Sequence, residues 1–115
     1  GPAAGETAEA NTMPSENFSR ILNEAFANGA HHVNRLTDAL NISERTLQRR
    51  MRDHFGITAS EWLHHKQMQH ALYLLQNGGK SIGETAYLCG HVSSFTQAFR
   101  QYFGSTPAET KKENR

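Results

Sequence analysis

The sequence predicts an all-α fold of about seven helices, with two helix-turn-helix subdomains joined by a long linking helix. Apolar residues recur at intervals of three and four positions, whereas no segment of useful length alternates as a strand does. Three Ser/Thr-x-x-Glu motifs precede predicted helices, which is typical of helix starts. A pair of short predicted helices separated by a tight break also occurs twice. These observations together favour a purely helical protein.

The first three predicted helices lie between residues 15 and 56. Each has an apolar stripe at helical spacing, formed in turn by Phe18, Ile21, Leu22, Ala25 and Phe26, by Val33, Leu36, Ala39 and Leu40, and by Leu47, Met51 and Phe55. The dipeptide Asn28-Gly29 ends the first helix, Asn41 follows the second and Gly56 ends the third. Ser43 is expected to cap the third helix, because a serine side chain accepts a hydrogen bond from the first helical turn.

Four further helices are predicted in the second half of the chain. Thr58 and Glu61 form a capping box for a linking helix that extends to about Asn77; about 20 residues at 1.5 Å each give it a length of roughly 30 Å. The other three helices are expected to start at Ser81 with Glu84, at Ser93 or Ser94, and at Thr106 with Pro107 and Glu109. We expect residues 1–14 to be a disordered linker or cloning remnant. We expect residues 15–115 to form one domain. In it, the first unit spans about 15–56, the linking helix about 58–77 and the second unit about 81–113.

Composition limits the classes of function. The chain has 115 residues and one cysteine, Cys89, which cannot form an internal disulfide. No run approaches the 18 apolar residues of a membrane span, and no signal peptide is expected. The net charge of +1 alone argues against a nucleic-acid binder. However, residues 1–30 hold four acidic and one basic residue, net −3, and the remainder holds 11 basic and 7 acidic residues, net +4. The average therefore conceals a basic segment that contains Arg45, Arg49, Arg50 and Arg52.

The repeated pair of short helices occurs at 33–55 and at 82–103, on either side of the linking helix. In a helix-turn-helix, the first helix packs on the second and holds the polar face of that recognition helix in the major groove of DNA, which is about 12 Å wide. Two such units contact one face of B-DNA when their recognition helices are about 34–36 Å apart. The predicted linking helix has a suitable length for that spacing.

A more specific signature is distributed over both units and the linking helix. It comprises Leu40-Asn41-Ile42-Ser43, Leu47, Arg49 and Gly56, then Trp62-Leu63 and the segment 71–75, then Ser81-Ile82, Ala86, Gly90, Phe95, Phe99, Phe103-Gly104 and Thr106-Pro107. With these residues, the chain from about Val33 to Glu109 resembles the C-terminal DNA-binding domain of the AraC/XylS family of bacterial transcription regulators. The resemblance implies recognition of adjacent major grooves of double-stranded DNA and activation or repression of transcription.

The same resemblance implies partners and a location. Double-stranded DNA is the expected partner, RNA polymerase is a further candidate, and no cofactor, metal or membrane is expected. The location implied is the bacterial cytoplasm, at the nucleoid. The N-terminal sensing or dimerisation domain that such regulators usually carry is not part of these 115 residues. We therefore expect the chain to be a fragment of a longer regulator.

The third helix (43–55) carries most of the candidate DNA contacts. Leu47 and Met51 are expected to face inward, which leaves a polar outer face formed by Arg45, Gln48, Arg49 and Arg52. Arginine donates two hydrogen bonds to guanine, and glutamine pairs with adenine through one donor and one acceptor. By the resemblance, Arg45, Gln48 and Arg49 match the family's base-contacting positions. Arg52 is predicted to contact phosphate or solvent. Two further candidates lie at the start of this helix: Ser43 as its cap and Thr46 as a hydrogen-bond donor to phosphate.

The second recognition helix (93–103) offers Ser94 and Gln97 as predicted base contacts and Arg100 as a predicted phosphate contact. Compared with the family pattern, His91 replaces a usual phenylalanine, and the interval that follows Gly90 is about two residues shorter. Because this helix has a single charged residue, the second unit should contribute less affinity for phosphate than the first.

Two alternatives from other functional classes stay open at this point. One is an α-helical protein-interaction module of a regulator whose second helix-turn-helix has lost groove binding. The other is a metal sensor suggested by His31-His32, His64-His65 and His70; adjacent histidines point about 100° apart and no cysteine cluster accompanies them, so no metal ligand is predicted. No activated serine, carboxylate pair or phosphate-binding glycine loop supports an enzyme. Trp62 and Cys89 are interpreted as core residues.

Overall fold

A computed structural model describes residues 15–77, 79–91 and 93–113, and these residues form seven α-helices without a strand. In chain order the helices are α1 (Ser15–Ala27), α2 (Val33–Leu40), α3 (Glu44–Phe55), α4 (Ala59–Asn77), α5 (Ile82–Leu88), α6 (Phe95–Phe103) and α7 (Pro107–Glu113). The predicted all-α class is confirmed. The linker expected at residues 1–14 lies outside the described residues. None of these helices combines the length and apolar character needed to cross a bilayer.

The chain divides into two compact units, one ending at Leu63 and the other beginning at His64. This boundary falls inside α4, so the first residues of that helix belong to the N-terminal unit and the rest to the C-terminal unit. The sequence analysis treats the linking helix, at about 58–77, as a segment separate from both units, and that division of the domain stays a prediction.

The N-terminal unit has a core to which α1, α2, α3 and the start of α4 contribute. Its fully buried side chains include Phe18 and Leu22 of α1, and Leu47 and Met51 of α3. The Phe18 ring stacks on Phe55 with 5.9 Å between ring centroids. The helix α3 therefore packs through one side on α1 and leaves its opposite side exposed.

The C-terminal unit has its own core of aromatic and aliphatic side chains. Phe99 of α6 is completely buried, and its ring centroid lies 5.8 Å from that of Phe95 and 4.5 Å from that of Phe103. Met68 and Ala71 of α4 are also completely buried in this cluster. The residues at helical spacing on α6 are therefore core residues, as the periodicity predicts.

All three predicted capping boxes form. They pair Thr58 with Glu61, Ser81 with Glu84 and Thr106 with Glu109, with N···O distances of 2.9–3.1 Å. Hydrogen bonds from the Ser81 backbone and side chain lower the pKa of Glu84, and those from Thr106 lower the pKa of Glu109 in the same way. Short sequence motifs thus determine where these helices start.

The turns of the two helix-turn-helix units differ. Between α2 and α3, Asn41 adopts a left-handed conformation with φ 57°, which asparagine tolerates better than most residues. Between α5 and α6, Gly90 has φ 84° and Ser94 has φ 58°. Of the two serines predicted to start the second recognition helix, Ser94 occupies the N-cap position before α6, but its side chain makes no capping hydrogen bond. The left-handed backbone at Ser94 differs from the extended backbone of Ser43 and Ser81, the two N-caps whose side chains do accept a capping hydrogen bond.

We expect substitution of the two serines by alanine to affect stability unequally. The Ser43 hydroxyl accepts a hydrogen bond from the Thr46 backbone N–H at 3.1 Å, so Ser43→Ala should lower the free energy of unfolding by about 1 kcal/mol. Ser94→Ala removes no such bond and should change it by less than about 0.5 kcal/mol. Urea denaturation followed by circular dichroism measures both. Equal losses would contradict the assignment of Ser43 as the functional cap.

Candidate DNA interface

The outer side of α3 carries the cluster of cationic side chains that the sequence predicts there. Arg45, Arg49 and Arg52 are all exposed, whereas Leu47 and Met51 of the same helix are completely buried. Because helix positions three, four and seven apart share a side, the three arginines lie along one surface. The structure brings these candidate residues together, and their roles as base or phosphate contacts stay predictions.

The start of α3 is held by Ser43 and Thr46. Besides accepting from the Thr46 backbone N–H, the Ser43 hydroxyl donates to Thr46 Oγ1 at 3.1 Å. Arg50, by contrast, pairs with Asp53 on its own helix at 3.4 Å and is mostly buried. The cationic surface of α3 is therefore formed by the arginines at 45, 49 and 52 rather than by all four.

Gln48 makes a contact that sequence reasoning missed. Its side-chain Oε1 accepts a hydrogen bond from the backbone N–H of Ala59, at a distance of 3.0 Å. The two residues are 11 positions apart and no motif spans them, so no sequence signal could have indicated the contact. The candidate DNA residue Gln48 thus also ties the middle of α3 to the first residue of α4.

The candidate residues of the second unit lie along an open groove in the C-terminal unit. Ser94, Gln97 and Arg100 are exposed, and all three line this groove together with Ile82, Gly83, Ala86, Phe95, Thr96 and Thr106. Arg100 is the single charged residue of α6. The structure therefore gathers the predicted contacts of this unit on one surface that is less basic than that of α3.

The histidines of the C-terminal unit are partly packed rather than simply exposed. The rings of His64 and His91 lie 6.0 Å apart, and His65 Nδ1 is 2.8 Å from the Tyr102 hydroxyl. Burial, with added repulsion from His91 and His65, lowers the pKa of His64, and burial lowers the pKa of His70. Within the described ranges, no three histidine, cysteine, aspartate or glutamate side chains are grouped so that they could hold a metal ion.

Cys89 is expected to react slowly with thiol reagents. It is completely buried at the end of α5, its thiol lies 3.5 Å from the Ala86 carbonyl oxygen, and burial raises its pKa. Labelling with a disulfide reagent at pH 8 should be much slower in the folded protein than in 6 M urea. Labelling at the same rate in both conditions would contradict the burial of this thiol.

Comparison with known proteins agrees with this geometry. A family model described as "Helix-turn-helix domain" matches residues 36–113. The "HTH-type transcriptional activator RhaS" of Escherichia fergusonii is 32% identical over 79 residues, which cover 67% of this chain and 28% of that protein. RhaS of Salmonella arizonae is 30% identical over the same coverage. The chain thus spans little more than a quarter of the length of these relatives.

Solved structures show the same fold. A DNA-binding transcriptional dual regulator from Escherichia coli K-12 superposes with a TM-score of 0.67 and 31% identity, covering 83% of this chain and 86% of that one. The C-terminal domain of the two-component response regulator yesN from Fusobacterium nucleatum superposes with a TM-score of 0.70 over 83% of this chain and 98% of that one, and its 23% identity supports the fold alone. From the matched model and these relatives, the chain belongs to the AraC-type helix-turn-helix family of DNA-binding transcription regulators.

Proposed function

We propose that this chain is a sequence-specific DNA-binding domain that contacts two adjacent major grooves, one with α3 and the other with α6. The observation that carries the proposal is the exposed arginine surface on α3, the second helix of a helix-turn-helix. In that motif, the second helix enters the major groove and contacts base edges with its N-terminal residues. Nothing in the sequence or the geometry favours the protein-interaction module instead.

Arg45, Gln48 and Arg49 are proposed as base contacts of the first unit. Arg45 and Arg49 are exposed near the start of α3, where the recognition helix of this motif approaches the bases. Arg52 lies one turn further along and is proposed to contact phosphate, together with the Thr46 hydroxyl. Each arginine that neutralises a phosphate releases counterions, so this unit should dominate the salt dependence of binding.

The second unit is proposed to extend the binding site with a smaller share of the affinity. Ser94 and Gln97 are the proposed base contacts and Arg100 the proposed phosphate contact. Arg100 is the single charged residue of α6, whereas α3 has three exposed arginines. This unit therefore has fewer cationic side chains available for DNA than α3 has.

Titration against a pool of random duplexes at several salt concentrations tests the proposal. A DNA-binding domain should enrich a motif, and its affinity should fall steeply as salt rises, with a slope of about −0.9 for each phosphate contacted. The absence of enrichment and of a salt slope would contradict DNA binding and leave the interaction module as the better hypothesis. If affinity falls steeply with salt but no base is preferred at any position, DNA binding stands and only its sequence specificity is contradicted.

The longer regulator is proposed to act on transcription through this domain. RhaS is named a transcriptional activator, so we propose activation with RNA polymerase as partner, in the bacterial cytoplasm where the chromosomal DNA lies. Transcription in vitro from a promoter with the enriched motif should rise when the longer protein is added. Reduced transcription would contradict activation while leaving DNA binding intact.

A further inference from the structure

We propose that Gln48 is a positioning residue that fixes the recognition helix α3 to the start of α4, and that it contacts DNA through its NH2 donor while its oxygen stays directed at Ala59. The inference rests on the proposed function, because it concerns how one predicted base contact works. It also changes that contact: a glutamine with both amide atoms directed at a base would recognise adenine, whereas the Gln48 oxygen is directed at the Ala59 N–H.

The first turn of α4 explains why this contact stabilises the fold. The early N–H groups of a helix have no partner within the helix and need one from elsewhere. The capping box satisfies two donors, since Glu61 accepts from the Thr58 N–H and Thr58 accepts from the Glu61 N–H. Ala59 lies between them and is completely buried, so its N–H depends on Gln48. Without that acceptor, a buried donor would be left unsatisfied.

The chemistry of the contact also fixes the orientation of the Gln48 amide. Because the Ala59 group is an N–H donor, the side-chain atom that faces it at 3.0 Å must be the oxygen. The NH2 group then points away from Ala59, and within the described part of the chain it makes no hydrogen bond. The Gln48 side chain is half-buried and lines a shallow groove beside Arg52. The NH2 group of Gln48 is therefore an amide donor that the protein does not use, on the helix proposed to face DNA.

A contact through the NH2 group alone restricts which bases Gln48 recognises. Bidentate pairing with adenine requires a donor and an acceptor from the same side chain. The remaining NH2 of Gln48 donates to a single acceptor, such as guanine O6 or N7 or thymine O4. Cytosine presents an amino donor at this edge and is disfavoured. We therefore expect the motif to favour an acceptor-bearing base at the position that faces Gln48, without a requirement for adenine.

Two substitutions of Gln48 separate the positioning role from the contact with DNA. Gln48→Met keeps the length of the side chain but cannot accept from Ala59, so its melting temperature should fall by about 4–8 °C. Gln48→Glu keeps an acceptor at a helix N-terminus, where negative charge is favourable, and should melt within about 2 °C of the wild type. The second carboxylate oxygen replaces the NH2 group, so this variant should shift the preferred base toward cytosine.

Gln97→Met is the matched control. Gln97 lies exposed on α6 and its side chain makes no hydrogen bond within the described residues, so this variant should melt within about 2 °C of the wild type. We also expect Gln97→Met to reduce DNA binding less than Gln48→Met does, because it removes a contact without displacing a helix. Equal losses in a competition assay would contradict that expectation.

The two measurements have separate outcomes. An unchanged melting temperature for Gln48→Met would overturn the positioning role, and it needs no DNA to be observed. The position that Gln48 contacts is the one at which Gln48→Met loses base preference. If the wild-type motif requires adenine at that position, the donor-only contact is overturned. If the wild-type protein enriches no motif while Gln48→Met still melts early, the proposed function fails and the positioning role stands.

Discussion

Replacing Phe99 with alanine is expected to lower the free energy of unfolding by about 3–5 kcal/mol, a large part of the stability of a domain of this size. Phe99 is completely buried, and its ring packs between Phe95 and Phe103 on the inner side of α6. Deleting the ring removes these contacts and leaves a cavity that the surrounding helices fill only in part. Urea denaturation followed by circular dichroism measures the loss.

Thr96→Ala is the control on the same helix. Thr96 is exposed, so its replacement should change the free energy of unfolding by no more than about 0.5 kcal/mol. A loss below about 1 kcal/mol for Phe99→Ala would contradict the packing of this core. Under conditions in which Phe99→Ala is partly unfolded, the enriched motif should also lose the half-site of α6.

Arg49→Ala is expected to cost about 1–3 kcal/mol of binding free energy and to relax the base preference at one position of one half-site. Arg49 is exposed on α3, within two turns of its start, where an arginine in a recognition helix donates to guanine O6 and N7. Competition between the best duplex and duplexes substituted at each position measures the effect. An equal loss on every duplex would show that Arg49 contacts phosphate instead of a base.

Arg20→Ala is the control for the loss of a positive charge. Arg20 is exposed on α1, which precedes both helix-turn-helix pairs in the chain, and it pairs with Glu24 at 3.3 Å. Because exposed ion pairs contribute little, this variant should retain its stability and its base preference. A relaxed motif for Arg20→Ala would mean that total charge, rather than the position of Arg49, determines specificity.

The features that the sequence predicts well are those with local causes. A capping box joins residues three apart, so Thr58 and Glu61 indicate the start of α4 without knowledge of the rest of the fold. The apolar spacing that places Phe99 in the core is also a property of one helix. The helix-turn-helix pairs follow from such elements, which is why the fold class could be predicted.

Features that depend on the surrounding structure could not be predicted in this way. Ser94 has a residue type that favours helix caps, yet the turn that begins after α5 places it in a left-handed conformation. Gln48 has a residue type that favours adenine, yet its oxygen bonds to Ala59, a partner that only the packing of α3 beside α4 provides. In both cases the local preference is overridden by a contact or backbone conformation that no short motif encodes.

Net charge shows the same limitation at the level of the whole chain. The value of +1 averages an acidic N-terminal stretch with a basic segment that includes α3. The proposed DNA contacts depend on the exposed arginines at 45, 49 and 52, whereas Arg50 pairs with Asp53. Specificity is therefore expected to depend on a few well-placed side chains, with modest non-specific affinity.

In vitro selection of bound duplexes, followed by sequencing, tests the central proposal of two adjacent grooves most directly. We expect the enriched motif to contain two half-sites with centres about 10–10.5 base pairs apart, the spacing of successive major grooves on one face of B-DNA. The half-site contacted by α3 should have the stronger base preference, because α3 has more cationic side chains than α6. A motif confined to a single groove would contradict the proposal that both recognition helices contact DNA.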